Sequence, residues 1–346
     1  MSKIAIIGHF GGKENITDGQ TVKTRILYDE LSKDSNCHIK IVDTYYKNSR
    51  PVRLFLHVIY TLISTRKIIV LLSGNGMRFF FPLLFSSSRV FHTEVYHDVI
   101  GENLDKYIAE NYKFVKYLNS FKRNWIETEY LKRRVETYGV INCEVIPNFK
   151  RLKTISNGEV TLQKDPPFRF CTFSRVMKEK GIEDAIDAVE SINNEKKEII
   201  CTLDVYGLID PAYKEAFQEK LSVSSNAISY CGVVEFDKSV ETIRDYYALL
   251  FPTTWRGEGF PGTIVDAFFA GLPVIATDWN SNSEIIKNLQ NGIIYPNNKM
   301  KSLIDCIKWT ILHTEEHHEM KVECMNSAKR YKPDIYIELI KQEMNI

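Results

Sequence analysis

Residues 251–278, FPTTWRGEGFPGTIVDAFFAGLPVIATD, predict a strand, a loop punctuated by glycines, a short helix and a second strand. If the helix begins near Gly262 or Thr263, Glu258 stays in the loop and Asp266 falls in the first turn, so both carboxylates can face one ligand. The free N–H groups and the positive dipole end of a helix start also suit an anion such as a phosphate. The stretch therefore predicts a ligand site between two strands.

The sequence leaves a second interpretation of Asp266 open. Thr263 and Asp266 have the spacing of a capping box, in which Asp266 would only close the helix N-terminus. Under either interpretation, Gly271 followed by Pro273 predicts the end of the helix before the second strand.

The whole stretch resembles the acidic signature of the retaining family-4 glycosyltransferases. That signature has a glutamate, Gly-Phe, a small turn, a second acid eight residues on, and Ala-x-x-x-Gly-x-Pro-Val-Ile-Ala. In that family the first acid holds hydroxyls of the donor sugar and the second holds the ribose of the nucleotide. The resemblance implies those roles for Glu258 and Asp266, with Phe260, Gly262 and Thr263 completing this part of the donor site.

The sequence departs from the family signature at two positions. Asp266 is one methylene shorter than the usual Glu, which could loosen the ribose contact. Pro261 stands where Gly is commonest and removes one N–H donor. These departures favour an alternative, a partner subunit that keeps the fold without catalytic activity.

Residues 174–181, SRVMKEKG, match a second motif of the same family, an Arg, four residues, and Lys-Gly opening a helix. By itself the segment is equally a charged surface turn. The resemblance implies that Arg175 and Lys180 grip the donor diphosphate, where cations stabilise the charge that develops on the leaving group. Arg can bind two oxygens and Lys supplies a point charge. Because the sequence has no Asp-x-Asp pair, we expect no metal and an activity that survives a chelator.

The first part of the chain predicts alternating strands and helices, as in a doubly wound parallel sheet. A buried strand, KIAIIG, leads into a glycine-rich loop and a helix from about Gln20 to Leu31. Further strands are predicted at about residues 39–43, 68–73 and 90–96. The loop is not a G-x-G-x-x-G motif, so a plain turn is an alternative, but the resemblance implies a donor contact at Gly19.

A second alternating series begins at Phe168, after a polar linker. Two such series predict an α/β protein with two Rossmann-like, doubly wound parallel-sheet domains facing across a cleft, the glycosyltransferase-B architecture. The predicted boundaries are 1–148 for an acceptor-binding domain, 149–332 for a donor-binding domain, and 333–346 for a helix that crosses back to the first domain.

Three further features have weaker signals. His97 follows a predicted strand at the edge where such sheets bind ligands; a structural role is open, and the resemblance implies contact with the sugar or acceptor. Residues 102–138 interleave aromatic and cationic side chains, which predicts an amphipathic helix pair or a membrane-docking surface, and no nucleic-acid motif accompanies them. His313 and His317 have metal-ligand spacing, but neighbouring glutamates indicate a solvated face, and we predict no metal.

Charge is distributed unevenly along the 346 residues, whose net charge is +1. Residues 1–150 carry 22 Lys/Arg and 15 Asp/Glu, a net charge of +7, and residues 151–346 carry 23 and 29, a net charge of −6. The positive half suggests an anionic partner, and we predict a membrane surface and no nucleic acid. Seven scattered cysteines without a C-x-x-C pair, and a start without a signal peptide, predict a cytoplasmic protein. The positive charge of its first half predicts that it is peripheral on the inner face of the cell membrane.

These observations together predict a retaining, metal-independent glycosyltransferase. It would move a sugar from a nucleotide-diphosphate sugar to a hydroxyl of a glycan or lipid-linked acceptor in cell-surface polysaccharide biosynthesis. The alternatives are the non-catalytic partner subunit and a nucleotide-sugar epimerase of the same fold.

Overall fold

The computed structural model describes residues 2–14, 19–35, 37–160, 163–297 and 300–346. The chain divides into two units, of which unit 1 comprises Met1–Arg151 with Lys332–Ile346 and unit 2 comprises Leu152–Tyr331. Each unit has a six-stranded sheet in which every pair of neighbouring strands is parallel. The α/β class and the two parallel sheets predicted from the sequence are confirmed.

Unit 1 has the strand order β2-β1-β3-β4-β5-β6. Its strands are β1 Ser2–Gly8, β2 Cys37–Asp43, β3 Lys67–Leu71, β4 Glu94–Asp98, β5 Arg123–Ile126 and β6 Cys143–Val145. Its helices are α1 Gly19–Ser32, α2 Pro51–Ser64, α3 Gly74–Val90, α4 Leu104–Glu110, α5 Lys113–Ser120, α6 Glu129–Glu136 and the last helix of the chain, α14 Pro333–Met344. The last helix is held to the sheet of unit 1 by Glu343, whose carboxylate accepts hydrogen bonds from Arg123 and Trp125.

Two predictions for unit 1 are wrong in detail. The strand predicted at 90–96 begins later, at Glu94, because helix α3 continues to Val90. Phe81, Leu84 and Ser87 are buried along one side of this helix. The helix pair predicted within residues 102–138 is interrupted by β5, which is only four residues long. Its period-2 signal is too short to be recognised among the surrounding cations.

Unit 2 has the strand order β12-β11-β10-β7-β8-β9. Its strands are β7 Phe168–Phe173, β8 Cys201–Tyr206, β9 Ile228–Gly232, β10 Ala248–Phe251, β11 Val274–Thr277 and β12 Gly292–Tyr295. Its helices are α7 Ile182–Lys196, α8 Lys214–Val223, α9 Ser239–Ile243, α10 Gly262–Phe269, α11 Asn282–Ile285, α12 Met300–Leu312 and α13 Thr314–Ala328. The central strand β10 is buried at all four residues, as expected for a parallel sheet covered on both faces.

The strand order of unit 2 reverses between β7 and β10, because the chain runs from β7 through β8 to β9 on one side and from β10 through β11 to β12 on the other. Such a point leaves a crevice beyond the carboxyl ends of the two strands, where open α/β sheets bind ligands. Among the described residues, no helix has both the length and the apolar character needed to cross a bilayer.

Candidate active site

Two loops of unit 2 that the sequence singles out lie at the reversal point of the sheet. Arg175 and Lys180 follow β7, and Glu258 follows β10, the neighbouring strand. A backbone hydrogen bond of 2.8 Å from the Thr254 N–H to the Glu179 carbonyl oxygen joins the two loops. The candidate cations and the first candidate acid are therefore held together by adjacent strands.

Lys180 and Glu258 form a buried ion pair, and each side chain is only 8% exposed. The Glu258 carboxylate also accepts a hydrogen bond of 3.1 Å from the Thr253 hydroxyl. The Lys180 ammonium lies 4.9 Å from the centre of the Trp255 ring and 5.4 Å from that of Phe251. Burying a charge is unfavourable unless it is paired, so each of these two charged side chains stabilises the other in its buried position.

The backbone around Lys180 leaves room for no side chain at the next residue. Gly181 has a φ of 69°, and a Cβ there would lie 2.2 Å from the carbonyl oxygen of Pro252. Glycine adopts this left-handed conformation without the strain that other residues suffer. Gly181 thus lets the turn before α7 approach the end of β10 and brings Lys180 to Glu258.

Helix α10 begins at Gly262, and Pro261 occupies the N-cap position. Thr263 therefore lies inside the helix, and its hydroxyl donates a 2.5 Å hydrogen bond to the Phe173 carbonyl oxygen. The capping box formed by Thr263 and Asp266 is absent from this helix start. Gly271, with a φ of 58°, follows the helix end as predicted.

Asp266 is the fifth residue of α10, so it lies just beyond the first turn in which the sequence places it. Pro261 takes the N-cap, so the helix starts at Gly262, the earlier of the two predicted starts, and Asp266 lies one residue farther along it than a start at Thr263 would give. The Asp266 carboxylate is 4% exposed and accepts a hydrogen bond of 3.0 Å from the Ser239 hydroxyl at the start of α9.

The remaining candidates of unit 2 differ in exposure. Phe260 is 8% exposed and packs edge-on against Tyr331, with ring centres 5.4 Å apart, so it supports the loop from the core. Gly262 and Thr263 are half-buried, which leaves the start of α10 accessible. Arg175 is exposed, and its side chain makes no ion pair within the part of the chain that the structure describes.

Two candidates lie in unit 1. Gly19 is the first residue of α1. Among the described residues, which leave out 15–18 of the preceding loop, a Cβ there would meet no atom within 4 Å apart from its chain neighbours and the backbone of α1. His97 is wholly buried in β4, where its ring packs against Phe81 and Phe121. Burial lowers the pKa of His97 to about 3, so the ring is neutral. The contact with sugar or acceptor suggested for His97 is therefore corrected to a role in the core.

The histidines near the start of α13 have separate partners. His317 is buried, stacks on Tyr247 with ring centres 3.7 Å apart, and bonds the Tyr247 carbonyl oxygen at 2.9 Å. His313 stacks instead on Trp309, at 4.4 Å. Over the described ranges, no group of three or more His, Cys, Asp or Glu side chains is arranged to hold a metal ion.

Three residues at the site have no assignment from the sequence. Thr253 and Trp255 contact the ion pair and lie within residues 251–278, so their position directly after β10 is a signal that could have identified them. Ser239 is 27 residues before its partner Asp266, and no local pattern marks it.

Comparison with known proteins identifies the same part of the chain. Residues 167–313 match the family model described as "Glycosyl transferases group 1". Among curated proteins, the GtfA subunit of the UDP-N-acetylglucosamine–peptide N-acetylglucosaminyltransferase of Streptococcus gordonii is 25% identical over 289 residues, which cover 78% of this chain and 54% of that protein. The chain spans about half, or less, of the length of the first curated relatives that it matches.

Solved structures match over the full length. HepE of Anabaena, crystallised in complex with UDP, has a TM-score of 0.77 at 13% identity, and the match covers 100% of both chains. The apo form of the lipopolysaccharide outer core galactosyltransferase WaaB has a TM-score of 0.69 at 15% identity, with 99% of both chains covered. The chain therefore has the glycosyltransferase-B fold, and its second unit carries the match to the glycosyl transferases group 1 family.

Proposed function

We propose that the protein is a retaining glycosyltransferase that moves a sugar from a nucleotide-diphosphate sugar to a hydroxyl of a glycan or lipid-linked acceptor, in cell-surface polysaccharide biosynthesis. The observation that carries this proposal is the buried pair of Lys180 and Glu258, which lies beyond adjacent strands at the reversal point of the sheet. It also lies within the residues that match the glycosyl transferases group 1 model.

The donor diphosphate would take Lys180 from Glu258. In the proposed complex, Lys180 and Arg175 hold the phosphate oxygens, with Arg175 able to bind two of them. The N–H groups of Gly262 and Thr263 at the accessible start of α10 add donors for the same anion. A sugar hydroxyl then takes the place of Lys180 at Glu258, so neither charge is left buried without a partner.

Asp266 would bind the ribose hydroxyls of the nucleotide, with Ser239 holding its carboxylate from the other side. Because Asp is shorter than the Glu of the resembled family, we propose that this Ser239 contact fixes the orientation that the shorter side chain needs. Gly19 in unit 1 stays a proposed donor contact.

The reaction would proceed by attack on the same face of the sugar. The bond between the anomeric carbon and the phosphate oxygen breaks while the acceptor oxygen bonds to that carbon, and the acceptor proton moves to the departing phosphate oxygen. The leaving diphosphate gains negative charge, which Arg175 and Lys180 stabilise in place of a divalent metal. We therefore propose that no metal cofactor is needed.

Two relatives support UDP as the nucleotide to test first. The streptococcal relative is named for UDP-N-acetylglucosamine, and HepE was crystallised with UDP. WaaB, which has the same fold, is named as a lipopolysaccharide galactosyltransferase, which supports a cell-surface polysaccharide as the product.

The test is transfer of radiolabelled sugar from UDP-sugars to extracted lipid-linked glycans, in EDTA. We expect labelled product with one donor, and a loss of about 10²–10³-fold in kcat for Glu258→Gln. The matched control is Glu219→Gln, a change to an exposed glutamate on α8, which should leave turnover unchanged.

The outcomes also separate the alternatives. Because Glu258 competes with the diphosphate for Lys180, the Glu258→Gln variant should bind UDP at least as tightly as the wild type while losing transfer. UDP binding without transfer from any donor would identify a non-catalytic partner subunit. Conversion of the donor sugar to its epimer without an acceptor would identify an epimerase.

A further inference from the structure

Residues 44–93 of unit 1 have an unusual charge composition. This segment contains seven Lys/Arg and no Asp/Glu, so its net charge of +7 equals the whole net charge of residues 1–150. It includes α2, β3 and α3. An acid-free run of 50 residues gives the surface of these helices one sign of charge, which attracts anions over about one Debye length.

Helix α2 exposes large apolar side chains along a face separate from its core contacts. At 100° per residue, its exposed apolar side chains fall within an arc of about 140°. They are Val52 at 72%, Phe55 at 40%, Leu56 at 62%, Tyr60 at 62% and Ile63 at 58% exposure. The buried residues Val58, Thr61 and Leu62 lie outside this arc, on the remaining part of the helix surface. Helix α2 is thus apolar on two faces, and its own unit covers only one of them.

The exposed apolar face continues onto α3. Phe79 is 54% exposed, and its ring centre lies 6.4 Å from that of Phe55 on α2. Val90 and Phe91, at the other end of α3, are 66% and 45% exposed. The contact between Phe55 and Phe79 joins the exposed apolar surfaces of the two helices, and contiguous exposed apolar surface marks an interaction site in soluble proteins.

Cations border this face. Arg53 lies in the first turn of α2, next to Val52, and Arg66 follows the helix; both are exposed. Lys40 of β2 lies over the Tyr60 ring, 3.7 Å from its centre. Arg78 on α3 forms an ion pair with Glu110, which is 58% exposed. The charge of Arg78 is therefore already partly neutralised. Long cationic side chains of this type lay their stems along apolar surface and keep the charge at the polar boundary.

We propose that α2 and the adjoining side chains of α3 dock the protein on an anionic phospholipid surface, with the apolar stripe in the acyl boundary and the arginines among the headgroups. A second protein would need to supply an apolar and an acidic surface together, whereas an anionic bilayer has both at the required depth. This inference stands on the surface of unit 1 and does not depend on the proposed function.

The test is sedimentation of the full chain with vesicles of phosphatidylcholine, with and without about one third phosphatidylglycerol, at low and at physiological salt. We expect binding to the anionic vesicles that weakens as salt increases, and little binding to neutral vesicles. Leu56→Glu/Ile63→Glu should weaken binding at least tenfold, because it places two carboxylates in the stripe. Leu208→Glu/Leu312→Glu is the matched control, since these leucines of unit 2 are 65% and 79% exposed and lie outside the face.

A second variant guards against a folding defect. Ile63→Trp keeps the face apolar, and its fluorescence should shift to shorter wavelength with anionic vesicles. Absence of vesicle binding by the wild type, or equal binding by Leu56→Glu/Ile63→Glu with an unchanged far-ultraviolet spectrum, would overturn the proposal. The wild type could instead self-associate without binding vesicles. If Leu56→Glu/Ile63→Glu abolished that self-association, the face would be assigned to a second copy of the chain.

Discussion

The ion pair between Lys180 and Glu258 allows a quantitative test of the candidate site through stability. Both side chains are 8% exposed, and removing one partner of a buried pair typically costs about 3–5 kcal/mol, because the other charge is left without compensation. We expect Lys180→Met to fall in this range. Only the Thr253 hydroxyl, 3.1 Å away, then remains among the described hydrogen bonds to the carboxylate.

The reverse change should cost less. In Glu258→Gln the amide oxygen can still accept a hydrogen bond, and Lys180 keeps the faces of Trp255 and Phe251 at 4.9 and 5.4 Å. We therefore expect a loss of about 1–3 kcal/mol, the scale of one hydrogen bond to a charged group. In Lys180→Met/Glu258→Gln no charge is left unpaired, so the loss should be smaller than the sum of the two single losses by at least about 1 kcal/mol.

The assay is equilibrium unfolding in urea, followed by far-ultraviolet circular dichroism. The control is Lys238→Met, because Lys238 pairs with Glu241 on the surface, at 57% and 71% exposure, where water screens the ion pair and it contributes little to stability. Strictly additive losses in the double variant would refute the direct coupling. A Lys180→Met loss no larger than that of the control would refute the burial of the pair.

Three further outcomes follow from the site and the core. Arg175→Ala should lower kcat by about 10²–10³-fold without changing stability, because Arg175 is exposed. The control, Lys178→Ala, changes a nearby exposed residue and should alter neither kcat nor stability. A kcat change below about threefold in Arg175→Ala would contradict the role of Arg175. Transfer should continue in excess EDTA, and its loss, restored by added Mg²⁺, would contradict metal independence. Burial and the charge of Lys321 lower the pKa of His317 to about 3, below the ordinary value of about 6.5, so the stability it contributes is complete above pH 6.5 and is lost as the pH falls towards 3. When the pH is lowered from 7 to 4.5, the free energy of unfolding should therefore fall by about 3 kcal/mol less in His317→Gln than in the wild type. Equal decreases in the two proteins would contradict this.

The fold of unit 2 could be predicted in most of its elements, because parallel strands buried on both faces have short apolar runs with clear glycine and proline boundaries. Within residues 251–278, the loop, helix and second strand are confirmed by α10 and β11, while the first strand, β10, ends already at Phe251. In unit 1, β5 was not predicted, because a strand of four residues is too short to show the period-2 alternation of a strand.

The candidate site could be predicted as a set of residues, and its contacts could not. Lys180 and Glu258 are 78 residues apart in the chain, and only the parallel pairing of β7 with β10 brings them together. Ser239 reaches Asp266 through the same kind of tertiary contact. The position of Asp266 along α10 depended on which residue takes the N-cap, and helix ends are the least certain part of a sequence-based assignment.

The proposed nucleotide-diphosphate site at the carboxyl ends of β7 and β10 is tested by the thermal unfolding midpoint of the protein with UDP, GDP, ADP and CDP, each in EDTA. A ligand at about 100 times its Kd stabilises the folded state by roughly 2.7 kcal/mol. We expect a rise with UDP in the wild type and in Lys178→Ala, and little or none in Arg175→Ala. No rise with any of the four nucleotides, or an equal rise in Arg175→Ala, would contradict the claim.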